Sequence, residues 1–188
     1  PNGKTYRISV KREDRGLASG WLHDSAKVGT VLKVAAPAGE FFLDGEPERP
    51  VVLLSGGVGL TPMVAMLEAL VAGGSDKPVH YIHGTHDRET HAMRGHVRAE
   101  AARGKAVNVI DFHQTPLAGE IAGQDYDIAG IITDDWLVAN TPVAEADYYI
   151  CGPRPFLRHA VSTLSLAGVP SSRIHYEFFG PADELLAA

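Results

Sequence analysis

The chain has a single cysteine, Cys151, in 188 residues. That excludes a disulfide framework and points to a reducing compartment. No apolar run approaches the ~20 residues that a membrane-spanning helix requires, and no signal-peptide pattern opens the sequence. Positive charge is also scarce, with 17 Lys and Arg against 23 Asp and Glu and a formal net charge of -6. Such a balance gives no general affinity for a phosphate backbone. The expectation is a soluble, cytoplasmic protein that engages neither nucleic acid nor membrane. What is present is ordinary globular composition, 45% hydrophobic and 21% charged, enough for one sizeable core or for one domain and part of another.

One stretch, Pro50 to Leu67, organises the rest. Val51 to Leu54 is short and uniformly apolar, as expected of a strand buried on both faces in the middle of a parallel sheet. It breaks on Gly56, Gly57 and Gly59, which allow a sharp turn and let backbone amides approach a ligand with no Cβ in the way. Thr61 is expected to cap the helix that follows, with Pro62 near its first position, where a missing N–H costs nothing. The helix dipole and free amides then face whatever lies over the glycines, an anion such as a dinucleotide pyrophosphate. The spacing Gly57-x-Gly59-x-x-Pro62 departs from G-x-G-x-x-G, so a tight turn that binds nothing remains open at this point. A P-loop is disfavoured, because no Gly-Lys-Ser/Thr follows.

In chain order, Thr5 to Val10 and Gly29 to Ala35 read as strands, with Leu17 to Asp24 a short helix between them. Gly16 and Ser19 stand near that helix's amino end, which favours a second phosphate; Trp21 and Leu22 plugging a small β domain is the alternative. Pro37 to Leu43 forms a turn, and the charged segment Asp44 to Arg49, with Pro47, is the expected linker. Residues 1–46 are too few to close a barrel or bury a core, so the chain reads as the carboxyl part of a longer polypeptide. From residue 50 to 188, strands at Val51 to Leu54, Val79 to His83, Val107 to Phe112, Tyr148 to Cys151 and Arg173 to Glu177 alternate with helices at Thr61 to Val71, Thr90 to Ala102 and Phe156 to Leu166. Within the mixed stretch Gln114 to Thr133, Ile128 to Ile132 is apolar enough to pack. Five strands so spaced predict an α/β fold with an open parallel sheet, its ligand beyond the carboxyl ends where strand order reverses.

Ser55-Gly-Gly-Val-Gly-Leu-Thr-Pro62, Cys151-Gly-Pro153 and the ending His175-Tyr-Glu-Phe-Phe-Gly-Pro181 together resemble the ferredoxin reductase-like flavoprotein superfamily. With the opening Tyr6 to Glu13 and the stretch Pro37 to Leu43, the sequence looks most like the reductase half of flavohaemoglobins. The resemblance covers nearly the whole chain. It implies a Rossmann-like, ferredoxin reductase-type NAD(P)-binding domain at 50–188, preceded at 1–46 by the end of a truncated FAD-binding β barrel. It implies an NAD(P)H-dependent flavin oxidoreductase of the nitric oxide dioxygenase type. Hydride passes from NAD(P)H to FAD, and electrons pass to haem in a fused upstream globin that detoxifies nitric oxide to nitrate. The Arg-x-Tyr-Ser flavin motif of the family is absent, so the isolated fragment is expected to bind FAD poorly and to be inactive. The alternatives are the reductase component of an oxygenase, for which no iron-sulfur cysteine cluster occurs, and a non-catalytic NAD(P)-binding module.

Hydride transfer needs no general acid or base, only two rings held close with water excluded. Gly57, Val58, Gly59, Leu60 and Thr61, flanked by Gly56 and Pro62, are expected to hold the dinucleotide phosphates. Cys151, Gly152 and Pro153 are expected beside the nicotinamide, with Cys151 as a neighbour of the reacting ring and not as a nucleophile; a buried apolar thiol is the alternative. Glu177 near the flavin would disfavour added negative charge on it and lower its potential. Phe178, Phe179, Gly180 and Pro181 match the family's FAD-contacting tail, and Gly16, Leu17, Ala18 and Ser19 match its FAD pyrophosphate loop. His80, His83, His86, His91 and His96 crowd one region without recognised ligand spacing, so no metal is expected. Thr85, His86 and Arg88 follow the second strand, where the adenosine ribose is read. Asp87 is close and Arg88 suits a 2′-phosphate, which leaves NADH and NADPH as equal alternatives.

Overall fold

The computed structural model describes residues 4–36 and 38–178. Its contacts divide the chain between Glu40 and Phe41. The expected linker, Asp44 to Arg49, lies just past that division, after Phe41 and Leu43, which pack on the core of the larger unit.

In the smaller unit the regular element is helix α1, Leu17–Asp24, as the sequence predicts. Gly16 is its N-cap, and Ser19 Oγ accepts the Glu13 amide at 3.1 Å. The Arg12 guanidinium grips both Asp24 oxygens at 2.5 and 2.8 Å, an exposed pair worth little to stability. The expected strands at 5–10 and 29–35 do not form among the described residues. Alternation marks the face that a strand would bury, but a strand also needs neighbours for its N–H and C=O groups. No strand ladder joins these segments among the described residues, and Tyr6, Ile8, Val31 and Val34 stay exposed.

The larger unit is an open sheet of six parallel strands rather than five. They are β1 (Val51–Gly56), β2 (Val79–Thr85), β3 (Val107–His113), β4 (Ile128–Ala129), β5 (Asp147–Gly152) and β6 (Ile174–Phe178). Their spatial order is β4-β3-β2-β1-β5-β6. The unforeseen β4 has two residues, too few to show a period, and is recruited by pairing with Phe112 and His113.

The connecting helices are α2 (Leu60–Ala72), α3 (Arg94–Ala101), α4 (Asp134–Asn140) and α5 (Arg154–Leu166). β1 alternates between two cores, which explains its uniformly apolar sequence. Val52 and Leu54 pack with Leu137 of α4 and with Leu157 and Leu164 of α5. Val51 and Leu53 pack with Met63 and Leu67 of α2 and with Val97 of α3. Each fully buried aliphatic side chain contributes roughly 1.5–3 kcal/mol. Helices therefore cover both faces, and none is long and apolar enough to cross a membrane among the described residues.

Three helix starts differ from expectation, α5 by opening at Arg154 instead of Phe156. α2 is entered through a 3-10 turn, Gly57–Gly59, so Gly59 is the N-cap and Thr61 sits inside the first turn without capping. α3 begins at Arg94 rather than Thr90, because Thr90 is engaged locally: its amide and hydroxyl both reach Asp87 Oδ1 at 3.0 Å. Such side-chain bonding competes with the helix. α4 was not anticipated, although Thr133 caps it by accepting the Trp136 amide at 3.3 Å and two aspartates occupy its first turn.

Candidate functional site

β1 leads to β2, β3 and β4 on one side, while β5 and β6 lie on the other, so strand order reverses between β1 and β5. Crevices at such reversals are where open α/β sheets bind ligands. The glycines flanking this one do separate jobs. Gly57 has φ +54, a left-handed conformation that side chains resist, and an added Cβ there would meet nothing within 4 Å. Its outward side is open. Gly59 has ordinary helical angles, but an added Cβ would lie 2.1 Å from the Cys151 carbonyl oxygen. A Cβ added at Gly152 would lie 2.8 Å from Phe156 Cδ1 and 3.2 Å from the Gly56 backbone. The turns leaving β1 and β5 thus meet backbone to backbone, with the Phe156 ring against both Gly56 and Gly152.

The sequence-predicted residues fall into this frame as follows. Gly57, Val58, Thr61 and Pro62 are half-buried at the turn and the head of α2, where the first amides lack intrahelical acceptors. Leu60 is buried in the α2 core, and its amide donates to the Gly57 carbonyl within the 3-10 turn. Cys151 is fully buried. Burial pushes its thiol up to about 12, with Glu177 adding repulsion, so it carries no appreciable thiolate at neutral pH. Ser55, Cys151 and Glu177 stand in register across β1, β5 and β6, and Gly152 pairs with Phe178. Pro153 is the exposed N-cap of α5. The bends after β1 and β5 and the end of β6 therefore share one sheet edge. Phe179, Gly180 and Pro181 lie outside the described residues. Gly16, Leu17, Ala18 and Ser19 form the head of α1 in the smaller unit.

A group of buried polar side chains beside this edge was missed by sequence reasoning. Ser55 Oγ and His83 Nδ1 are 2.9 Å apart, both fully buried between β1 and β2. His83 Nε2 has no partner, and burial drives its pKa down to about 3, so the ring is neutral. Packed near it, 4.9 Å between centroids, is His91, also pushed down by burial, to about 4. His91 Nδ1 lies 3.0 Å from His113 Nε2, and His113 Nδ1 lies 2.5 Å from Glu120 Oε2. Asp111 anchors the other side, 2.6 Å from Arg98 and 3.2 Å from Arg94. The crowding of histidines was visible in the sequence, but its partners were not. Among the described residues no three His, Cys, Asp or Glu side chains form a metal-binding group.

The crevice carries features that a dinucleotide would need. The open side of Gly57 gives backbone access, Gly59 and Gly152 permit the close approach of the two turns, and the α2 dipole favours a pyrophosphate.

The oxidoreductase NAD-binding domain family matches residues 53–162. A flavohemoprotein of Xylella fastidiosa (strain Temecula1) is 53% identical over 188 residues, all of this chain and 46% of that protein. One from Rhizobium meliloti is 44% identical, over 96% of this chain and 46% of its own length. The chain thus spans about half the length of the curated relatives it matches. Among solved structures, the flavohem-like FAD/NAD binding domain of nitric oxide dioxygenase from Vibrio cholerae superposes with a TM-score of 0.79 at 35% identity, covering 92% of this chain and 70% of that one.

Proposed function

The chain belongs to the oxidoreductase NAD-binding domain family, among its flavohaem-like reductases, and from that membership we propose that it is the reductase portion of a flavohaemoglobin. When bound, the nicotinamide coenzyme supplies a hydride that FAD accepts, and electrons then pass to haem in a fused globin, where nitric oxide and oxygen become nitrate. The observation that carries the reading is the meeting of the β1 and β5 turns, where a Gly59 Cβ would strike the Cys151 carbonyl, with Glu177 in register beside it. That arrangement offers a dinucleotide two glycine-lined backbones at the reversal of the sheet.

The residues divide the work. Gly56, Gly57, Val58, Gly59 and Thr61 hold the pyrophosphate through backbone amides and the α2 dipole, with Leu60 and Pro62 shaping the turn that presents them. Gly152 and Pro153 end β5 beside the fully buried Cys151, whose neutral thiol belongs to the apolar floor behind the nicotinamide and helps to exclude water. Glu177 sets negative charge near the flavin and tunes its potential. Gly16 to Ser19 and the tail from Phe178 to Pro181 serve FAD. The lone, buried cysteine suits a reducing cytoplasm.

The test uses the protein at flavohaemoprotein length, loaded with FAD and haem. Anaerobic stopped-flow mixing with NADH should bleach the flavin, and aerobic NADH oxidation should consume nitric oxide. A protein that binds NADH yet leaves its flavin oxidised overturns the reductase reading.

A further inference from the structure

We propose that Glu120 is a positioning residue for the coenzyme, fixing residues 86–93, the loop that follows β2, in the form that receives the adenosine end. The inference rests on the dinucleotide reading above. Gly56 pairs with Gly84 across β1 and β2, so this loop departs one residue beyond the glycine turn's level on the neighbouring strand. Any dinucleotide with its pyrophosphate on that turn extends toward β2 or toward β5, and β2 is the adenosine side if the nicotinamide lies by Cys151.

The loop has little apolar anchorage. His86, Arg88, Glu89 and Thr90 are exposed, and its end at Met93 is held at φ +59, a conformation that a side chain resists. Its order depends on polar ties, and Glu120 supplies them at two points. The Glu120 side chain is fully buried. Its Oε1 accepts the Arg88 amide at 2.9 Å, and its Oε2 meets His113 Nδ1, whose ring passes on to His91 at 3.0 Å. Arg88 lies within the Asp87–Thr90 turn and His91 directly follows it. One carboxylate therefore holds both the turn and the residue after it from the segment beyond β3. A buried carboxylate is costly unless its oxygens are bonded, so it holds these partners firmly. Without it the loop samples other conformations, and the coenzyme must pay for reordering it on binding.

The experiment titrates the full 188-residue chain with ADP-ribose and follows hydrogen exchange at the Arg88 amide without ligand. Glu120→Ala should weaken ADP-ribose about tenfold, the scale of a lost charge-assisted hydrogen bond, and should abolish protection of the Arg88 amide. Glu120→Gln, which keeps an oxygen for Arg88, should restore most of both. Should the alanine variant fail to fold, Glu120→Asp, one methylene shorter, takes its place with the same expectation. Wild-type affinity together with a protected Arg88 amide in the alanine variant overturns the positioning role alone. Absence of ADP-ribose binding by the wild-type chain overturns the dinucleotide reading as well.

Discussion

At the scale of single residues, the two glycines of the β1 turn separate handedness from closeness. Alanine at Gly57 meets no neighbour and suffers only the left-handed backbone, about 1 kcal/mol. At Gly59 the added methyl drives into the Cys151 carbonyl, and backbone must move, a cost of roughly 1–3 kcal/mol typical of overpacking. Gly59→Ala should therefore lower the urea midpoint more than Gly57→Ala and weaken NADH at least tenfold. Equal NADH affinity for wild type and Gly59→Ala would mean that the contact between the turns does not shape the site. Cys151 makes a complementary case. With its thiol near 12 against about 8.5 in the unfolded chain, the native state holds the proton longer, so stability is intact below that unfolded value and falls as pH rises from there toward 12. Iodoacetamide at pH 8 should label the unfolded chain and spare the folded one, and labelling of the native protein would contradict the burial.

At the scale of elements, His83 and His91 tie β1, β2 and the β2–α3 loop through rings that burial keeps neutral. His83 and His91, near 3 and 4 when folded, take up protons near 6.5 once unfolded. Below about 6.5 the unfolded chain therefore binds more protons, and stability present at neutral pH is lost as pH falls toward 4. The expected loss is roughly 1–2 kcal/mol per histidine by pH 5, and His83→Asn should remove one proton's worth of the slope in urea melts at pH 7.5 and 5. A flat profile over that interval would show these rings to be solvated. Sequence reading found β1 and β5 because burial on both faces makes a strand continuously apolar, and it found α2 and α5 from glycine and proline punctuation. It did not find the histidine group, since Ser55 meets His83 only through the register of parallel strands, and His91 meets His113 only where the β2–α3 loop returns to the end of β3. It misplaced the start of α3 because Asp87 and Thr90 bond to each other instead of opening the helix. The convergence of the β1 and β5 turns with β6 was legible as topology, whereas the steric reason, Gly59 on Cys151, needed coordinates.

At the scale of the whole chain, stability and ligand geometry concentrate in one unit. Both apolar clusters are built from residues at or beyond Phe41, and the described residues from 4 to 40 include no buried side chain. The hydrophobic term scales with apolar area removed from water, so those first residues contribute little to the cooperative free energy. The alternating patterns at 5–10 and 29–35 nonetheless have the period of strands, and their apolar side chains carry a cost in exposed surface that burial would remove. A chain beginning at Phe41 should thus unfold in one cooperative urea transition with a midpoint close to that of the 188-residue chain, and it should bind ADP-ribose with similar affinity. It should also show less tendency to associate, because Tyr6, Ile8, Val31 and Val34 are gone. Sedimentation and urea melts of the two chains decide this, and loss of the cooperative transition on shortening would show that the first 40 residues stabilise the sheet after all.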